Sequence, residues 1–185
     1  MCIRDRFNDK DYNFFGWFFT TLLIALITSV TQTLITLMTS YALSRIRFNM
    51  KKPLMKMILI IGMFPGFLGI IATYYILKLL NLSTSIFSLI ILYTAGAGMG
   101  YYISKGFFDT VSYSLDEAAM IDGANKNTIF FRVIMPLSKP IIVYTVLMAF
   151  TAPWGDYMTA SYLAAGNPKM FTVAVGLYEI LNKRN

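Results

Sequence analysis

Apolar residues in this chain gather into long runs without charge, separated by short polar segments in which nearly all the charge sits. Tyr12 to Ser44 is 33 residues without a charged side chain, about 50 Å as a helix, where a bilayer core needs about 30 Å. Met57 to Leu77 and Ser85 to Ser104 are likewise uncharged, and a fourth run from Ile141 to about Ser161 is interrupted only by Asp156. The pattern predicts an all-α, polytopic transmembrane bundle with spans at residues 14–44, 55–79, 85–105 and 137–161. Between the last two lies a polar loop, 106–136, and after the fourth an outer loop and the start of a last segment, 162–185. Pro65, flanked by Gly62 and Gly66, predicts a kink near Phe64, and Pro140 suits the first turn of the fourth span. Gly62/Gly66 and Gly96/Gly100 have the spacing of close helix packing.

The first span carries Thr20, Thr21, Thr28, Ser29, Thr31, Gln32, Thr33 and Thr36, too many polar side chains for a helix bathed only in lipid. Most of the hydroxyls can bond a carbonyl one turn back in their own helix. Gln32 cannot be dismissed that way, because a mid-membrane amide wants a partner, so it is expected to face other protein or a polar path through the bundle.

Composition narrows the class. Hydrophobic residues make up 57% of the chain and charged residues 14%, beyond what a soluble domain of 185 residues carries. The net charge of +7 resides in short loops. Arg45, Arg47, Lys51, Lys52 and Lys56 form one basic segment without an acid, and Lys105, Lys126, Arg132 and Lys139 form a second two spans later. Two spans return the chain to the same side, so both loops are cytoplasmic under the positive-inside rule, and nucleic acid is not implied. With no histidine and one cysteine, Cys2, the chain has no material for a CxxC or HExxH metal site, an internal disulfide or a histidine-dependent triad. Gly96-Ala97-Gly98-Met99-Gly100 is not a dinucleotide fingerprint, since Tyr101 stands where glycine is needed, and no phosphate-binding lysine motif occurs. The chain is therefore expected to bind no cofactor and no ATP.

Helix signals concentrate between Ser114 and Gly123. Ser114 and Glu117 have capping-box spacing, Asp116 and Glu117 suit the positive end of a helix, and Gly123 can take the left-handed conformation that closes one. Leu115, Ala118 and Ala119 share a face on which small side chains would let another protein approach the backbone. Glu117-Ala118-Ala119, followed after three intervening residues by Gly123 and after nine more by Val133-Ile134-Met135-Pro136, resembles the EAA loop of binding-protein-dependent ABC importer permeases, with Val133 and Met135 replacing Ile and Leu. Tyr41-Ala42-Leu43-Ser44-Arg45 with Phe48, Phe150 through Tyr157, and Thr172 through Tyr178 are similar to segments of carbohydrate permeases of the maltose and maltodextrin type, although Gly155 stands where many members carry Asn.

The resemblance implies a type I-like permease, the smaller of a heterodimeric pair, in a bacterial cytoplasmic membrane. It would be served by an ATPase dimer that uses the ATP and by an extracytoplasmic sugar-binding protein. Ser114, Glu117, Ala118, Ala119, Gly123 and Pro136 would form the coupling element. Gln32, Trp154, Asp156 and Tyr157 are the candidates for the sugar pathway, because aromatic faces stack on sugar rings and a carboxylate accepts hydroxyl protons. Trp154, Asp156 and Tyr157 would equally suit an outer membrane interface. Four spans where the family has six make the chain look like its middle portion, and Met1-Cys2-Ile3-Arg4-Asp5-Arg6 resembles translated adapter sequence, so residues 1–12 are expected to be a non-native or truncated leader. A permease for another solute, such as a sugar phosphate, is the alternative within the family. An ion-coupled carrier would be expected to show intramembrane charge, for which Asp156 is the one candidate, and a membrane enzyme lacks the residues.

The loop charges predict that cysteines placed at Asn49 and at Asn167 are labelled from opposite sides of the membrane by an impermeant thiol reagent; labelling of both from outside would refute the topology.

Overall fold

The uncharged first run forms one uninterrupted helix, α1 (Phe14–Arg45), in a computed structural model that describes residues 13–63, 66–82 and 85–182. The leader at 1–12 and the kink expected at Phe64–Pro65 lie outside the described residues. The remaining helices are α2 (Lys51–Gly62), α3 (Gly66–Leu79), α4 (Ile86–Ala95), α5 (Gly98–Thr110), α6 (Tyr113–Ile121), α7 (Lys126–Leu137), α8 (Lys139–Gly155), α9 (Tyr157–Ala164) and α10 (Val173–Asn182). Among the described residues α1 alone is long and apolar enough to cross a membrane, and three spans result if α4 with α5 and α7 with α8 each count as one interrupted crossing.

The burial pattern of α1 is the reverse of that of a helix in a water-soluble protein. Phe15, Phe19, Leu23, Leu26, Val30, Leu34 and Met38 are exposed, while Thr21, Thr28, Ser29, Thr33, Thr36, Ser40 and Ser44 are buried. Thr21, Ser29 and Thr31 each donate to a carbonyl three or four residues back, the local satisfaction expected of them.

The helices group into two compact units. The first comprises the opening half of α1, then α3 and α4, and finally the end of α8 with α9 and α10. Its core is Ile24, Leu77, Leu89, Ala160, Leu163, Ala164, Met170 and Val175. The Thr21 hydroxyl, besides donating to Trp17, accepts from the amide of Val173 at 2.9 Å, so it supplies one of the acceptors that the start of α10 lacks. Thr31 and Thr94 pair through their hydroxyls at 2.9 Å and tie α1 to α4.

The second unit comprises the rest of α1, then α2, α5, α6 and α7, and the start of α8. Its core is Leu37, Tyr41, Phe108, Ile129, Phe130, Ile134 and Ile141. Small residues work here as the sequence implies: a Cβ on Gly100 would lie 3.7 Å from Thr36 of α1, and one on Gly62 would lie 3.2 Å from the Met99 sulfur. Within α7, residues Ile129–Ile134 form a π-helical stretch in which the Met135 amide bonds Phe130 five residues back, just before Pro136, which has no amide to give. At Ser138 the chain turns by 84° into α8.

Three span boundaries differ from expectation. The third run is interrupted at Gly96–Ala97, and its second half continues as helix to Thr110, because Phe108 is fully buried and draws the last turn inward. The fourth ends at Gly155 rather than near Ser161: Asp156 leaves the helical conformation, accepts from the Thr159 amide at 3.0 Å, and starts α9. The tail is also more ordered than an outer loop, for Met170 and Val175 belong to the first unit's core.

In α10, Gly176 lies so close to the Trp17 indole that a Cβ there would stand 2.1 Å from the ring. Gly176→Ala should therefore lower stability in detergent by about 1–3 kcal/mol, as overpacking does. Gly155→Ala, whose Cβ would meet nothing within 4 Å, serves as the control in the same thermal melt. Equal melting temperatures for the two variants would contradict the Trp17–Gly176 contact.

Candidate functional site

The segment between α5 and α7 is built around a nine-residue helix whose start and stop have separate causes. Val111 and Ser112 are extended (ψ 128° and 134°), so the helix begins at Tyr113, and Ser112 caps it by accepting from the Ser114 amide at 3.3 Å. The expected capping box of Ser114 and Glu117 is thus corrected. Ser114 lies inside the first turn with its hydroxyl 2.8 Å from that of Ser112, and the cap belongs to the residue at which the extended chain ends. Gly123 closes the helix as the sequence implies: at φ +82° it donates to Met120 at 3.0 Å, while Ala124 donates to Ala119 at 2.9 Å. This is a Schellman ending, which needs a left-handed residue at that position.

The faces of α6 are unequal. Leu115, Glu117, Ala118, Met120 and Ile121 are exposed, whereas Ala119 packs partly against the core formed by Tyr41, Phe108, Ile129 and their neighbours. Leu115, Ala118 and Ala119 therefore do not form a single outward face; Ala118 points outward and Ala119 turns inward. Pro136 lies near the far end of α7, beyond the π-helical stretch, and is exposed.

Asp116 faces inward and is buried, an arrangement that reading its neighbours for helix signals missed. One carboxylate oxygen lies 3.2 Å from Nε of Arg45, the last residue of α1, and the two side chains are only 8% and 5% exposed. The contact is an ion pair rather than an aligned hydrogen bond, for Nε and Nη1 of Arg45 and Oδ1 of Asp116 have no hydrogen-bond partner among the described residues. Arg45 Nη2 donates to the carbonyls of Phe108 at 3.1 Å and Val111 at 2.7 Å, where α5 ends, and the guanidinium lies 4.1 Å from the centre of the Tyr113 ring. Ser44 stands beside it. Its carbonyl accepts from the Tyr113 hydroxyl (3.1 Å) and from Lys51 (2.9 Å), and its hydroxyl donates to Asp109 at 2.6 Å. A cleft of about 240 Å³ opens along this cluster, lined by Tyr41, Arg45, Arg47, Tyr113, Glu117 and Lys126 among others.

The two acids of the cluster respond oppositely. Burial pushes the Asp116 carboxyl above the usual carboxylate range, with Arg45 opposing and Glu117 adding to the rise. Burial would raise Asp109 too, but hydrogen bonds from Lys105 and Ser44 and the charges of Lys105 and Lys51 outweigh it and hold that carboxyl below its ordinary value.

The second set of candidates, apart from Gln32, lies in the first unit. Trp154 packs edge-on against Phe18 (ring centres 5.4 Å apart) and beside Phe150, and its indole N–H is buried with no acceptor among the described residues. Asp156 is engaged on both oxygens, one by the Thr159 amide and the other by the Tyr93 hydroxyl at 3.1 Å. Tyr157 stacks on Tyr178 with ring centres 4.1 Å apart. Gln32 is half-buried midway along α1.

Against known families, residues 39–182 match a model described as binding-protein-dependent transport system inner membrane component. The maltodextrin transport system permease protein MalD of Streptococcus pneumoniae is 40% identical over 167 residues, covering 90% of this chain and 59% of that protein. The galactooligosaccharides transport system permease protein GanQ of Bacillus subtilis is 36% identical over 167 residues with the same coverage. A crystal structure of a bacterial ABC transporter involved in the import of the acidic polysaccharide alginate shares the fold, with a TM-score of 0.84 at 24% identity over 93% of this chain and 60% of that one. The chain thus spans about three-fifths of the length of these relatives.

Proposed function

The chain belongs to the family of binding-protein-dependent transport system inner membrane components, and on that premise we propose that it is a permease subunit of an ABC importer that moves a sugar or oligosaccharide across a bacterial cytoplasmic membrane. The named relatives transport maltodextrin and galactooligosaccharides, which favours a neutral oligosaccharide as cargo. Its partners are a second permease, an ATPase dimer that consumes the ATP, and an extracytoplasmic binding protein. The chain crosses the membrane several times, with the basic segments 45–56 and 105–139 on the cytoplasmic side.

The observation that carries this reading is the surface of α6. A short, doubly capped helix in a polar segment between apolar runs exposes Leu115, Ala118, Met120 and Ile121, the last at 86%. Apolar residues exposed together in a loop that faces water, not lipid, suit a docked protein. Glu117 adds an exposed charge on the same helix, and the Gly123 ending sets where the chain turns away.

Because Ala119 packs inward, Ala118→Trp is the substitution that tests docking without disturbing the fold. In the assembled transporter it should abolish ATPase co-purification or sugar-stimulated ATP hydrolysis while permease levels in the membrane stay normal. Wild-type assembly and transport by this variant would remove α6 as the coupling element.

For the sugar pathway, the Trp154 ring set beside Phe18 and Phe150 offers an aromatic surface on which a sugar ring can stack. Asp156, whose oxygens are both engaged, is the weaker member of its group. Trp154→Ala removes that surface, so it should raise the KM for uptake several-fold, about 1 kcal/mol for a lost aromatic contact. An unchanged KM would exclude the indole from the pathway.

A further inference from the structure

A docking helix can pass on a displacement only if it is fastened to what must move, and α6 is joined by backbone only to α5 through Val111–Ser112 and to α7 through Asp122–Asn125. The side-chain fastening is concentrated on one guanidinium. Arg45 ends α1; its Nη2 holds the carbonyls of Phe108 and Val111 at the end of α5, its Nε pairs with Asp116 of α6, and its face lies against Tyr113, the first residue of α6. Tyr113 returns to Ser44 of α1, whose hydroxyl reaches Asp109 of α5.

This arrangement is poorly suited to adding stability. Both charges are removed from water, and Arg45 Nη1 and Asp116 Oδ1 lack hydrogen-bond partners among the described residues, so desolvation is incompletely compensated. What such a pair does provide is position, because neither group can leave the other without stranding a buried charge.

We infer that Arg45 and Asp116 are positioning residues that lock α6 to the ends of α1 and α5, so that a displacement of α6 by its docked partner is delivered directly to the membrane-spanning helix α1. The inference rests on the importer reading and specifies which residues carry the coupling.

The test uses the complete transporter in proteoliposomes, measuring complex assembly, ATP hydrolysis and sugar uptake together. Asp116→Asn keeps the shape of the side chain and removes its charge. The variant should assemble and hydrolyse ATP within about twofold of wild type, while uptake per ATP falls roughly tenfold, the size of an ordinary coupling free energy. A structural role alone would lower assembly, hydrolysis and uptake in proportion. The double variant Arg45→Met with Asp116→Leu keeps an apolar contact between α1 and α6 without the charges but gives up the Nη2 bonds to Phe108 and Val111, so it should recover uptake per ATP well above that of Asp116→Asn without reaching wild type. If Asp116→Asn does not assemble, the double variant decides: assembled and coupled, it supports the lock; uncoupled or unassembled, it overturns it. Unchanged uptake per ATP in Asp116→Asn also overturns it. Absence of ATP-dependent sugar uptake by the wild-type complex would instead remove the importer reading itself.

Discussion

A helix in hydrocarbon gains nothing by turning apolar side chains inward, since lipid tails are as apolar as leucine. That constraint organises α1 and, through it, both units of the chain. Its outward residues are Phe, Leu, Val and Met, and its inward residues are largely threonines and serines. What holds the neighbours to α1 is therefore short-range and specific: the Thr21 hydroxyl at the start of α10, the Thr31–Thr94 pair, the Ser40 hydroxyl on the Tyr101 carbonyl, the approach of Gly100 to Thr36, and the Ser44–Asp109 bond. Each is worth little alone, but each fixes a rotation and a depth along the helix.

The Arg45 end of α1 obeys different physics. Where α1 leaves its uncharged run, the first charge is Arg45, and the structure spends it inside the protein rather than on water. Around it gather the two terminal carbonyls of α5, an acid and an aromatic ring from α6, and the Ser44–Lys51 bond. The helix that exposes Leu115, Ala118, Met120 and Ile121 is thereby seated on a charged, buried base.

The segment around α6 shows how far local pattern can be read. Gly123 was legible because a left-handed residue at the end of a short helix is a backbone requirement that few residues other than glycine meet. The helix start was misplaced by two residues because Ser112 and Ser114 are both competent caps, and only the extended conformation of Val111 and Ser112 chooses between them. Ala118 and Ala119 look alike in sequence, yet one faces outward and the other packs against the core around Ile129 and Phe130. Asp116 drew attention only as a favourable charge in the first turn; its partner stands 71 positions earlier in the chain, beyond the reach of any local pattern.

What the amino-acid sequence determined by itself is whatever depends on near neighbours and on solvent: helices from uncharged length, the closing glycine, and a family motif with fixed spacing. Tertiary structure decided whatever depends on which helices meet. It broke the fourth run at Asp156, where a cap and the Tyr93 hydroxyl outweigh helix continuation, carried α5 on to Thr110 to bury Phe108, and brought Arg45 to Asp116. The reason is the same in each case. Hydropathy and capping report the free energy of one segment in its solvent, whereas a buried hydroxyl, carboxylate or guanidinium takes its place from partners distant in sequence, and only the packed structure supplies them.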